Sequence, residues 1–154
     1  MVRSRSRKGI LEHMTEQLRS LSDFLAKAVA HRLAAIVPDP VSIQADGGNV
    51  AVALNNKTWE YISLSSVIEQ GGDVRQNIEN AAYSVLNSVQ DFVIESVRHG
   101  GWPSSPQYPA EGGKMLPLPS VRIMHNELRL GYGNEGDLCL ELEPISLPDL
   151  GAVY

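Results

Sequence analysis

The residues of this chain whose types and spacing could do chemistry crowd into its last third. Gly131-Tyr132-Gly133-Asn134-Glu135-Gly136 matches GxGxxG to the letter. That pattern cradles a dinucleotide pyrophosphate when it joins a strand to a helix, because the helix N-terminus then offers unpaired N–H groups. Here it runs into Leu138-Cys139-Leu140-Glu141-Leu142, which alternates like a strand. It therefore reads as a glycine-rich hairpin turn and implies no cofactor. Cys139 is the only cysteine, which excludes an intrachain disulfide framework. As a nucleophile it would need a base within reach, and His125 is the candidate. Alternation places His125 with Val121 and Ile123, and Cys139 opposite its leucine neighbours, so the two fall on different faces unless a bulge intervenes. Glu141 and Glu143 share a strand face, but acid–base work needs environments that split their pKa values, and charges that protect an edge strand account for them equally well. His13, His31, His99 and His125 have no second ligand at a zinc spacing. No residue is assigned a catalytic, cofactor or metal role, and a small enzyme using Cys139 or a histidine is the least favoured class.

Charge is split along the chain. Residues 1–37 hold seven Lys or Arg against three Asp or Glu, whereas residues 38–154 hold six against fifteen. Arg3, Arg5, Arg7 and Lys8 make residues 1–9 a basic arm, expected to be flexible, that could neutralise the phosphates of a nucleic acid or an anionic surface. No aromatic residue is interleaved there for base stacking. Glu12, His13, Glu16 and Gln17 interrupt the apolar stretch that a secretory signal would need, and no segment approaches membrane-spanning length, so the expected compartment is the cytoplasm.

The elements that must position these side chains follow from apolar periodicity. Leu11, Met14, Leu18, Leu21, Leu25 and Ala28 step by three and four, which predicts a helix from Ile10 to Val37, with Phe24, Val29, Leu33 and Ile36 widening its stripe before Pro38 ends it. Short alternating runs predict strands over 41–45, 49–54 and 58–64, joined by Asp46-Gly47-Gly48 and Asn55-Asn56-Lys57. Ala51 and Ala53 oppose Val50, Val52 and Leu54, so this sheet is expected to be loosely covered on both faces. Ser65–Gln70 could add a helical turn. Asp73, with Gln76 three residues on, predicts a capped second helix whose face carries Ile78, Ala81, Ala82, Val85, Val89, Phe92 and Val97, stopped by Gly100, Gly101 and Pro103. Strands are predicted again over 121–125, 128–132 and 137–143. In these, Val121, Ile123, Leu128, Leu130, Leu138, Leu140 and Leu142 supply one apolar face, and Arg122, Arg129, Cys139, Glu141 and Glu143 the other. Pro144, Pro148 and Gly151 predict that the tail leaves the sheet as coil.

The result is an α+β chain in the order α-β-β-β-α-β-β-β, two long helices packed on antiparallel meanders. A proline pair stands before each meander, and the layout admits an internal duplication. Its 154 residues and 43% apolar content suit one domain over residues 10–148, followed by a tail at 149–154. In element order alone the chain resembles the small acidic type III secretion chaperones, which however end in a helix where this chain ends in strand and coil; no motif is shared, and no family is assigned.

Residues 102–119 form a Pro-rich loop with five of the nine prolines, a length often functional in compact domains. Trp102 and Tyr108, at and within it, are residues suited to anchoring an interface. Leu11, Met14 and Leu18 are the candidate seam of a homodimer, although a two-and-a-half-heptad stripe more often packs on its own sheet. The leading expectation is a non-catalytic module that binds another protein, adaptor-like, chaperone-like or immunity-like; the alternative is nucleic-acid or anionic-surface binding through the arm.

Overall fold

A computed structural model describes residues 7–103, 117–134 and 136–150, with side chains from residue 12 onward. The arm up to residue 6, residues 104–116 with Tyr108, and residues 151–154 lie outside the described residues. The chain order is helix, three strands, a short helix, a long helix and four strands.

Helix α1 (Arg7–Ala34) starts inside the basic arm and stops three residues before the predicted end. Its last turn tightens, with the Ile36 and Val37 N–H groups both donating to the Leu33 carbonyl. Leu21, Leu25, Ala26, Val29, Ala30 and Leu33 are buried, at the three-and-four spacing of one face. Phe24 departs from the widened stripe and stands 42% exposed, beside Gln17 and Pro148. Arg32, which interrupts the seam, reaches out of the helix: its guanidinium donates to the carbonyls of Ala28, Glu143 and Pro144, tying α1 to the far end of the chain.

Strands β1 (Val41–Asp46), β2 (Asn49–Leu54) and β3 (Lys57–Ser63) form an antiparallel meander in that order. Asn55 and Asn56 both take positive φ in the β2–β3 turn, 53° and 66°, the conformation a two-residue type I′ hairpin demands. Val41, Ile43, Val50, Val52 and Ile62 face the core, where α1 packs on β1 and β2 and the second long helix touches β2 and β3. The expected cover on both faces does not form: both helices lie on the same side. Ala51 and Ala53, each 8% exposed, are shielded as small residues at the floor of a shallow concavity.

A single helical turn, α2 (Ser65–Ile68), leads into α3 (Val74–Ser96). The Asp73 carboxylate accepts from the Gln76 N–H at 3.2 Å, the predicted N-cap. The return arm of a capping box is not made, since the Gln76 side chain donates to Asn80 Oδ1 instead. Asn77, buried, donates to the Gly71 carbonyl and accepts from Gln70, fastening the α2–α3 link to the helix. Ile78, Ala81, Ala82, Val85, Leu86, Val89 and Val93 present a face with almost no exposure, and close-packed small residues let α3 serve both sheets.

The second meander holds β4 (Pro119–Met124), β5 (Glu127–Asn134) and β6 (Asp137–Glu141). His125 and Asn126 form its first turn with φ of 51° and 63°. The coil expected after residue 143 is corrected: β7 (Ile145–Ser146) pairs with β5 beside β6, and Leu142, Ile145, Leu147 and Leu150 are buried. Pro144 and Pro148 flank this edge strand, where a missing N–H is tolerated, rather than break it. Tyr132 is fully buried; its hydroxyl donates to the Leu86 carbonyl at 2.7 Å and its ring meets Trp102 edge-on at 5.3 Å. Burial, and then the negative charge of Asp91, hold its hydroxyl far above the ordinary tyrosine range.

The two meanders repeat one register. From the second turn of the first, the pairs are Leu54–Lys57 and Ala53–Thr58, then Trp59 is skipped and Val52 meets Glu60. From the second turn of the other, they are Asn134–Asp137 and Gly133–Leu138, then Cys139 is skipped and Tyr132 meets Leu140. The bulge thus falls on the same residue of the third strand in each. It also corrects the alternation read from sequence: Leu138 moves to the outer face, beside Gly131, while Cys139 packs against the core with Leu140.

Candidate functional site

The reactive residues of the last third do not converge. A bulge does intervene at Cys139, but the separation lies along the strand: Cys139 sits at the Tyr132 end of β5, and His125 in the turn before Glu127. Six residues of strand put roughly 20 Å between those positions. GxGxxG spans the β5–β6 hairpin, with no helix behind it. The reason for its glycines is steric: a Cβ on Gly131 would stand 2.6 Å from the Leu140 carbonyl oxygen, and Gly133 takes φ of 119°. All four histidines are exposed. Among the described residues no three His, Cys, Asp or Glu side chains gather where a metal could be held, and no helix is long and apolar enough to cross a membrane.

Trp102, chosen from sequence as a partner contact, is 8% exposed and packs on Tyr132. Its place is the base of the Pro-rich loop, and Gln90 explains why it is held there. The buried Gln90 amide donates to the Trp102 carbonyl at 3.0 Å and to the Pro117 carbonyl at 2.7 Å. One side chain thereby fastens both ends of the excursion between residues 103 and 117. Tyr108 falls within it, outside the described residues. Of the dimer-seam residues, Met14 and Leu18 are half-buried, Leu18 against the protein's own core, and the Leu11 side chain is outside the described residues. Arg3 and Arg5, and the side chains of Arg7 and Lys8, are outside them too.

What the tertiary structure leaves open is the outer face of each meander. On the first, Tyr61 is 59% exposed on edge strand β3, and Trp59, 62% exposed on the same strand, stands in the bulge on the side of Val52. The Lys57 ammonium lies 5.3 Å from the Trp59 ring centroid, within cation–π range. Beside Tyr61 a concavity of about 250 Å³ runs over Ala51 and Ala53, walled by Gln44 and Thr58 as well. Sequence reasoning passed over Trp59 and Tyr61. A signal was present, since Tyr61 alternates with the core residue Ile62 and must point away from it.

On the second meander, a concavity of about 370 Å³ is lined by Ser120, Arg122, Met124, Arg129, Leu138 and Glu141 among others. Arg129 meets Glu127 at 3.4 Å with both side chains substantially exposed, a contact contributing about 0–1 kcal/mol. Comparison with protein-family models, curated proteins and solved structures finds no match for this chain.

Proposed function

We propose that this protein is a non-catalytic interaction module that docks an apolar segment of a partner protein on the outer face of its first sheet. One observation carries the proposal: Tyr61, 59% exposed, walls a concavity floored by Ala51 and Ala53, and Trp59, 62% exposed, stands two residues away on the same edge strand. Aromatic residues of this kind dominate interface energetics, and a floor of small residues gives a partner's side chains somewhere to lodge. The bulge at Trp59 disfavours simple addition of a strand along the β3 edge, which favours contact with the face. The absence of converging reactive groups among the described residues is compatible with a module of this kind.

Trp59 is its own reporter. Iodide should quench its fluorescence in the free protein and spare Trp102, and a bound partner should protect it. Partners captured by the full chain, once purified, should bind a Trp59→Ala/Tyr61→Ala double variant at least tenfold more weakly, with the circular dichroism of the fold retained. Unchanged affinity, or a partner that leaves Trp59 open to iodide, would sink the proposal.

A further inference from the structure

The concavity on the first sheet changes character along its length. Its floor is Ala53 and then Ala51, successive outward residues of β2, so the two lie one row, about 7 Å, apart. In the Ala51 row Gln44 stands on one side and Tyr61 on the other. One row further on lies Asp46, opposite Asn49 at the hairpin, and its carboxylate is the single charge among the residues lining the concavity. Gln44, Asp46 and Tyr61 are exposed, and among the described residues their side chains make no hydrogen bond or ion pair within the protein. An apolar floor, an aromatic wall and an uncommitted carboxylate therefore follow one another in a line. The chain around them is acidic, since residues 38–154 hold six Lys or Arg against fifteen Asp or Glu.

We propose that the segment docked on this face carries an arginine, its aliphatic stem laid over Ala51 between Gln44 and Tyr61 and its guanidinium on the Asp46 carboxylate. The inference rests on the docking reading of the same face and adds the chemistry of the anchor. The surfaces follow the order of the side chain itself, which is apolar along the stem and charged at the tip. A guanidinium meets a carboxylate through two parallel N–H bonds and lies flat on an aromatic ring, geometries that an ammonium does not share. An apolar residue two positions from the arginine falls on Ala53, because the side-chain period of an extended segment matches the rows beneath it. The acidic surroundings steer a basic segment toward the face.

The probe is the acetylated, amidated peptide Leu-Ser-Arg-Ser-Leu, symmetric so that either chain direction presents an apolar residue to Ala53. It is titrated into the isotopically labelled full chain and followed by backbone amide shifts. Shifts should cluster at Gln44, Asp46, Ala51 and Tyr61, and shrink as salt rises. Affinity should fall about tenfold in Asp46→Asn, which keeps the size of the side chain and suits the hairpin, and about as far when the peptide carries Gln for Arg. Lys for Arg should weaken binding about threefold. Shifts outside the first sheet, unchanged affinity in Asp46→Asn, or equal binding of the Gln or Lys peptide would overturn the proposal. A purified partner separates the two readings of this face. Weakening by both Asp46→Asn and Trp59→Ala/Tyr61→Ala supports the arginine anchor; weakening by the aromatic variant alone leaves docking intact and removes the arginine, and weakening by neither removes both.

Discussion

The two meanders share a skeleton and differ in what they present. Each has two-residue turns, a core-facing row on its central strand, and a third strand that skips its third residue. At matched positions the first carries Val52, Ala51, Trp59 and Tyr61, and the second Tyr132, Gly131, Cys139 and Glu141. The bulky aromatic side chain therefore changes sides: Tyr61 is outward on the first sheet, Tyr132 inward on the second. Tyr132 fills an interior that α3 shares with Trp102, while on the other face Gly131 leaves room for the Leu140 carbonyl and the Leu138 side chain. In the first sheet valine suffices inside, and the aromatic residues are free for the surface. The connections differ as well. Six residues (35–40) join α1 to β1, whereas twenty-two (97–118) join α3 to β4, and only the longer link is fastened by a buried amide.

The largest effect that would sharpen this comparison is at the matched core position. Tyr132→Ala should cost about 3–5 kcal/mol by removing a buried ring and its contact with Trp102, and Val52→Ala about 2 kcal/mol, in urea unfolding. Equal losses would mean that the two cores are not organised differently. Next comes the central outer position. Gly131→Ala should cost about 2–3 kcal/mol, because the new Cβ meets the Leu140 backbone and neither strand can retreat without breaking the bulge. The reverse change in the first meander, Ala51→Gly, should cost only about 0.5–1 kcal/mol.

Gln90→Ala should cost about 2 kcal/mol by orphaning the Trp102 and Pro117 carbonyls. It should also raise the rate of proteolytic cleavage between residues 103 and 117, with no parallel change between residues 35 and 40. Finally, Tyr132→Phe should cost about 1 kcal/mol at neutral pH for the lost hydrogen bond. Because burial raises the hydroxyl's folded-state pKa, the neutral form is favoured by folding, and that stability is complete below the unfolded tyrosine pKa of about 10. Above it the unfolded state ionises first. Wild-type stability should then fall relative to Tyr132→Phe, by at most about 1.4 kcal/mol per pH unit. A difference between the two proteins that stayed constant from pH 9 to 11 would show that Tyr132 is not buried as a neutral donor.

Much of the framework was legible from residue order. The stripes of α1 and α3, the Asp73 cap and the asparagine turns rest on interactions within a few residues, and periodicity reports these directly. The open faces were harder to read. Strict alternation put Leu138 inside and Cys139 outside, but a one-residue bulge reversed both, and nothing in Leu138-Cys139-Leu140 marks where the bulge falls. Trp102 followed the general rule that tryptophan in a Pro-rich loop contacts a partner, whereas Gln90, twelve residues earlier, draws it inward. Pro144 and Pro148 suggested an end to the sheet, but the burial of Leu142, Ile145, Leu147 and Leu150 outweighed them.

By itself, the sequence determined the order of the elements up to the last strand, the buried face of each long helix and the hairpin turns of the first sheet, because local spacing and composition carry that information. Only the tertiary structure decided that both long helices share one side of the first sheet, leaving Tyr61 in the open on the other. It also decided that Arg122 stands against Arg129 across two strands, and that the chain's last strand returns to β5. Each of these depends on which residues far apart in the chain exchange hydrogen bonds and apolar contact, and a one-residue shift in that pairing changes which side chains the protein can offer.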